Sequence, residues 1–104
     1  MIRRGLLALV LTLPAGAALA DRIDGEWCSP DGLRHVRING PQIETPGGQN
    51  STGDYERHAF TFTIPEGESD AGTVVQMHLL GETAVRVWFG LDDPVVWGRC
   101  RPVS

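Results

Sequence analysis

The sequence predicts an all-β protein, and three observations lead to that prediction. Several short segments alternate apolar and polar residues or are rich in β-branched and aromatic residues, with clusters of Gly, Pro, Asn and Asp between them. No stretch of residues 21–104 has the periodicity of an amphipathic helix. Two cysteines, Cys28 and Cys100, lie near the two ends of that region, and we expect them to form a disulfide.

Residues 1–20 are predicted to be a secretory signal peptide. Two arginines precede a short apolar run, and Ala18-Leu19-Ala20 is typical of a cleavage site. The apolar run is shorter than the roughly 20 residues that a bilayer span needs, so we expect no transmembrane segment after cleavage. Residues 21–104 would then form a single small β domain, exported to a bacterial periplasm or secreted.

Charge and cysteine count restrict the function. The chain has 13 acidic and 9 basic residues, and two of the basic residues belong to the predicted signal peptide, which makes the mature part more acidic. An acidic surface repels nucleic acid, so we expect no nucleic-acid partner. Free thiols or a metal site are the alternatives to a disulfide, but the two cysteines have no adjacent histidine to complete a metal site. We therefore expect no metal and no cofactor.

About seven short strands are predicted between turn signals. The sequence Pro30-Asp31-Gly32 predicts a chain reversal after the first strand, and Asn39-Gly40 is the strongest hairpin signal in the chain. The stretch 46–53 contains no apolar residue to bury, and we expect it to be the longest loop. The predicted strands are residues 25–29, 33–38, 42–45, 55–64, 73–80, 84–89 and 95–101.

Alternation within these strands predicts which side chains enter the core. Trp88 lies on the opposite face of its strand from the predicted core residues, so we expect it outside. Of the three histidines, His58 falls on a core face whereas His35 and His78 fall on outer faces, so they do not converge on a metal. The predicted core faces of the three clearest strands carry His58, Phe60, Phe62 and Ile64; Val75, Met77 and Leu79; and Val85, Val87 and Phe89.

The disulfide gives the meander a geometric constraint. A meander of this many strands, with no room for crossover helices, tends to curl until its edges meet. Bonded cysteines need their Cα atoms within about 7 Å. A bond from Cys28 to Cys100 would therefore place the first and last strands side by side in a closed or nearly closed barrel, with Trp27 and Trp97 nearby. A two-sheet sandwich is the alternative.

Two resemblances add expectations about function. Gly25-x-Trp27 in an early strand, with Arg99 near the end, resembles the lipocalin signature, which implies that Arg99 covers Trp27. In size, export signal and single disulfide, the chain also resembles the small periplasmic barrels that inhibit c-type lysozyme. Those inhibitors use a loop containing Ser and Gly that leads to a Tyr, and residues 51–55 are an approximate counterpart. This second resemblance implies a protein partner.

We expect a non-enzymatic binding module. No Gly-x-Ser-x-Gly nucleophile elbow is present, and the loop around Ser51 lacks a defined base. The partner would be a protein or an envelope component; a small-molecule-binding, lipocalin-like barrel or a minor envelope structural protein is the alternative. The sequence leaves the oligomeric state open. The candidate interaction surface comprises Gly47, Gly48, Ser51, Gly53, Tyr55 and Trp88.

Overall fold

A computed structural model of the chain describes residues 22–101, and the predicted signal peptide lies outside them. In that range the chain is an antiparallel meander that forms a nearly closed barrel, which confirms the predicted all-β class. No helix in it reaches the length and hydropathy that crossing a bilayer requires. The strands are β1 (Gly25–Cys28), β2 (His35–Asn39), β3 (Gln42–Glu44), β4 (Asn50–Thr52), β5 (Asp54–Glu56), β6 (Ala59–Thr63), β7 (Val74–Gly81), β8 (Ala84–Phe89) and β9 (Val95–Arg99).

The strand order explains how the barrel closes. Neighbours in the sheet run β4-β3-β2-β1-β9-β8-β7-β6-β5, so the first strand pairs with the last. In this pairing Trp27 lies opposite Arg99 and Cys28 lies opposite Gly98. The predicted disulfide is confirmed: Cys28 and Cys100 are bonded, with their Cα atoms 5.0 Å apart. It joins the chain across the β1–β9 ladder, as the sequence predicted.

Antiparallel pairing makes the connections alternate between the two ends of the barrel. One end, which we name the mouth, consists of the loops 29–34, 45–49, 64–73 and 90–94. The other end, the base, consists of the turns 40–41, 57–58 and 82–83 together with the incoming segment 22–24. The loops that could hold a partner are thus gathered mainly at the mouth.

The structure has nine strands rather than seven, and one correction concerns residues 55–64. They do not form one strand, because Arg57 and His58 make a two-residue turn between β5 and β6, with Glu56 opposite Ala59. His58 is therefore exposed in the turn, and its predicted place on the core face is wrong. The turn lacks the Asn-Gly type of signal that revealed the β2–β3 hairpin.

A second correction concerns the predicted loop 46–53. It contains β4, which is polar throughout and pairs with β3, so that Ser51 lies opposite Ile43. Strand β4 is held by backbone ladder bonds and buries little side-chain surface. Its sequence therefore has no alternation of apolar and polar residues, which is the pattern that reveals strands.

The predicted core faces of the long strands are otherwise correct. Leu79 and Phe89 are half-buried and pack on the edge of the core, and the remaining predicted aliphatic and aromatic residues are buried. Trp27 and Trp97 are also buried. The interior is filled by the buried apolar side chains Ile23, Trp27, Val36, Ile38, Ile43, Phe60, Phe62, Ile64, Val75, Met77, Val85, Val87 and Trp97.

Gly53 connects β4 to β5, two consecutive strands that pair with different neighbours. Strand β4 pairs with β3, whereas β5 pairs with β6, and these two short strands form no ladder with each other in the described sheet. A Cβ at Gly53 would lie 2.5 Å from Cε1 of Phe60 and 2.5 Å from the carbonyl oxygen of Thr61. The buried Phe60 ring leaves room here only for glycine.

Replacing Gly53 by alanine is expected to lower the free energy of unfolding by about 1–3 kcal/mol, because the added methyl group must displace Phe60. Gly81→Ala is the matched control, since no atom lies within 4 Å of a Cβ built at Gly81. Urea unfolding followed by tryptophan fluorescence measures both variants. If the two lose the same stability, the close approach at Gly53 does not constrain the fold.

Candidate functional site

The base of the barrel is closed by a stacked pair. The guanidinium carbon of Arg99 lies 3.9 Å from the centre of the Trp27 ring, which is 0% exposed. The indole nitrogen of Trp27 donates a hydrogen bond of 2.8 Å to the carbonyl of Ile23, in the incoming segment. Gly25 has a φ of +117°, and a Cβ there would lie 2.6 Å from Nη1 of Arg99. Arg99 thus covers Trp27, as expected, and the lack of a side chain at Gly25 leaves space for its guanidinium.

Arg99 also ties the base together through its nitrogen atoms. Nε donates to the carbonyl of Glu82 at 3.0 Å, Nη2 donates to that of Arg22 at 3.0 Å, and Nη1 donates to that of Asp24. Burial lowers the pKa of this guanidinium from its ordinary value, with a smaller opposing effect from Asp24. Since each of its three nitrogen atoms donates to a backbone carbonyl of the same molecule, Arg99 has a structural role.

Tyr55 belongs to the base as well. Its hydroxyl donates a short hydrogen bond to Oδ1 of Asp24, and this bond is the main reason that the pKa of Tyr55 is raised, with burial second. The other carboxylate oxygen of Asp24 accepts the backbone N–H of Gly40 at 2.8 Å. Tyr55 therefore anchors the incoming segment to β5, at the end of the barrel opposite the mouth.

At the mouth, open clefts lie between the loops. Three adjacent clefts, of about 310, 460 and 420 Å³, are all lined by Arg34 and Phe89. The first also reaches Val87 and Trp97, and the second reaches Ile64, all three of which belong to the core. The floor of the mouth is thus the upper surface of the filled interior.

Arg34 lies at the centre of these clefts. Its guanidinium carbon is 4.5 Å from the centre of the Phe89 ring, and Nη2 is 3.5 Å from Oδ2 of Asp70. On the sheet, Phe89 stacks on Trp97 with the ring centres 6.0 Å apart. An arginine on one loop is thereby held between an aromatic ring and a carboxylate from two other parts of the chain.

Two leucines project from the mouth into solvent. Leu33 is 83% exposed in the loop after β1, and Leu91 is fully exposed in the loop after β8. Each lines a cleft that also contains Arg34 and Phe89. These two side chains bury little surface against the rest of residues 22–101, and an exposed apolar group beside a cleft is typical of a binding surface.

The charge of the mouth is strongly unbalanced. Its four loops carry a single basic residue, Arg34, and the acidic residues Asp31, Glu66, Glu68, Asp70, Asp92 and Asp93. Glu68 connects two of the loops, because its Oε1 accepts the backbone N–H of Gly47 at 2.8 Å and its Oε2 accepts the hydroxyl of the buried Thr45. The mouth therefore combines an apolar floor and exposed leucines with a negative rim.

The structure spreads the predicted interaction residues over different parts of the barrel. Gly47 and Gly48 are exposed in the mouth loop 45–49, whereas Tyr55 is at the base. Ser51 and Gly53 lie in or beside β4, on the wall between those ends. Ser51 and Gly53 line one shallow cleft with residues of β6, and that cleft includes neither Gly47, Gly48 nor Tyr55.

Trp88 lies on the outer wall, as the alternation of side chains along its strand predicted. It is half-buried, and its ring meets that of His78 edge to face, with 5.0 Å between the centres. Strands β6 and β7 separate β8 from β5 in the sheet, so Trp88 is on a different side of the barrel from the residues around Gly53. In the described part of the chain, no three or more His, Cys, Asp or Glu side chains are grouped to hold a metal ion.

Sequence reasoning missed the four residues that define the mouth: Leu33, Arg34, Phe89 and Leu91. A signal for the two leucines was present, because each follows a glycine within a turn sequence, where an apolar side chain has no core to enter. No comparable signal marks Arg34, whose contacts depend on a loop distant in sequence.

The chain matches no protein-family model, no curated protein and no solved structure.

Proposed function

We propose that this protein is an exported, non-enzymatic binding module that holds a protein or envelope component at its mouth. The observation that carries the proposal is the exposure of Leu33 and Leu91 on neighbouring loops, each beside a cleft that Phe89 also lines. Burying two leucines against a partner is worth about 3–5 kcal/mol before the costs of association. In residues 22–101, both side chains are left largely exposed.

Charge indicates which partner the mouth would accept. Six carboxylates against one arginine give the mouth loops a formal charge of −5. Such a field raises the rate of encounter with a basic surface and opposes an acidic one. We therefore expect the partner to present a basic patch around an apolar centre.

A protein partner fits the geometry better than an enclosed small molecule. The interior below the mouth is filled by large buried side chains such as Trp27, Phe60 and Met77. The clefts are open to solvent between the loops instead of leading into the barrel. A small-molecule carrier remains the second candidate, favoured by the cleft of about 310 Å³ that is floored by Phe89 and Trp97.

Capture from an envelope extract tests the proposal with three immobilised variants beside the wild type. Leu33→Ser/Leu91→Ser alters the mouth, and Leu80→Ser/Val96→Ser is the matched control, since it removes two exposed aliphatic side chains elsewhere. Trp88→Ala tests the outer wall. We expect the mouth variant to capture at least about ten-fold less of a basic partner, whereas the other two variants capture as much of it as the wild type does.

Circular dichroism first establishes that all variants are folded. Raising the salt concentration should weaken capture, because the mouth attracts its partner by charge. Retention of every captured protein by the mouth variant would contradict the proposal. If only Trp88→Ala fails to capture the partner, the interaction surface is on the outer wall.

A further inference from the structure

Resting on the proposed function, we infer that the mouth recognises a basic protein segment through an arginine, which takes the place of Arg34 between Phe89 and Asp70. The geometry points to arginine because the protein already presents one there. Its guanidinium carbon lies 4.5 Å from the Phe89 centroid, and Nη2 lies 3.5 Å from Oδ2 of Asp70. The site is thus shaped for a planar cation on an aromatic ring beside a carboxylate.

The resident arginine is held weakly enough to be displaced. The side chain of Arg34 is 47% exposed and that of Asp70 is 52% exposed, and exposed ion pairs of this kind contribute little to stability. Arg34 is also the last residue before β2, on a loop, so its side chain can turn toward solvent without disturbing the sheet. Because all three clefts are lined by Arg34, its departure would join them over Phe89.

The surroundings favour a second cation over an anion. Asp31, Asp92 and Asp93 line the cleft that Phe89 and Trp97 floor. Asp31 is oriented by its neighbours, because its Oδ1 accepts the hydroxyl of Ser29 at 2.6 Å and the backbone N–H of Leu33 at 3.0 Å. These hydrogen bonds lower the pKa of Asp31 and so favour its ionised form. Arg34 alone therefore leaves most of the negative rim available to a partner.

Displacement has a measurable consequence. Only those molecules in which Arg34 has left the Phe89 ring can bind a partner arginine there. The apparent affinity is therefore the intrinsic affinity multiplied by the fraction of such molecules. A lysine at position 34 preserves the charge of the mouth but stacks less well on Phe89. Arg34→Lys is therefore expected to bind an arginine peptide about three-fold more tightly than the wild type does, with no change in net charge.

Labelled hexa-arginine, hexa-lysine and hexa-glutamate peptides test this inference by fluorescence polarisation at low salt. We expect hexa-arginine to bind several-fold more tightly than hexa-lysine, although both carry the same charge, and hexa-glutamate to bind neither variant nor wild type. Amide shifts in ¹⁵N spectra should locate binding at the loops 29–34, 64–73 and 90–94. Phe89→Leu should remove the difference between arginine and lysine, and its melting temperature reports whether it is folded.

The outcomes separate this inference from the proposed function. Equal affinities for hexa-arginine and hexa-lysine, or an Arg34→Lys variant that binds hexa-arginine no better than the wild type, would overturn the role of Arg34 while leaving the mouth as the binding surface. Amide shifts confined to the outer wall or the base would overturn both. Absence of hexa-arginine binding would overturn this inference, and the envelope capture would still test the proposed function on its own.

Discussion

Replacing Cys28 and Cys100 together by alanine is expected to lower the free energy of unfolding by about 4 kcal/mol, because the bond restricts the unfolded chain. The two residues are 72 positions apart, so the bond closes most of the domain into one loop. Domains of ordinary stability are held by about 5–15 kcal/mol, and one this small is at the lower end. The variant should therefore be only marginally folded at room temperature.

Urea unfolding followed by far-ultraviolet circular dichroism measures this loss. The slope of the transition should also rise, since an unfolded chain without the cross-link exposes more surface. Wild type treated with a reductant is the control and should unfold at the same urea concentration as the double variant. A loss below about 1 kcal/mol would mean that the β1–β9 ladder closes the barrel without covalent help.

Replacing Arg99 by alanine is expected to lower the free energy of unfolding by about 2–3 kcal/mol, the largest loss after that of the disulfide variant. The substitution removes a cation from the Trp27 ring and leaves the carbonyls of Arg22, Asp24 and Glu82 without their donor. This loss is smaller than three charged hydrogen bonds would suggest, because water can hydrate the carbonyls at the base once the side chain is gone. Trp27 should become partly hydrated, so its fluorescence emission should shift to longer wavelength.

Arg86→Ala is the matched control for Arg99, because Arg86 is an exposed arginine on the outer wall. Arg99→Lys separates charge from shape: a lysine keeps the positive charge but cannot reach three carbonyls with a planar fork. We expect it to lose most of the stability that Arg99→Ala loses. If Arg99→Lys has the same free energy of unfolding as the wild type, the positive charge alone is enough to hold the base closed.

The sequence predicted those parts of the fold that bury apolar side chains in alternation. The bounds of β8 agree with the predicted 84–89, and Val36 and Ile38 are buried on one face of β2. Strand β4 escaped prediction because it contributes backbone hydrogen bonds and almost no buried surface. The turn at Arg57 and His58 escaped because neither residue is typical of a two-residue hairpin turn.

The mouth could be predicted only in part for a similar physical reason. A local signal existed for Leu33 and Leu91, which stand among turn-forming residues. The contact of Arg34 with Phe89 and Asp70 depends on three segments that meet only when the barrel closes. Contacts between residues distant in sequence leave no periodic pattern, so a single sequence contains no local trace of them.

The strand order has a consequence for how the chain folds. Seven of the eight ladders in residues 22–101 join strands that follow one another, and only the β1–β9 ladder joins distant ones. Hairpins form by closing short loops, whereas that ladder must close nearly the whole domain, which is the slow, entropically costly search. Once the cysteines are bonded, β1 and β9 are held together from the start, and every ladder becomes local. Oxidation before folding thus converts the one long-range search of this topology into a short-range one.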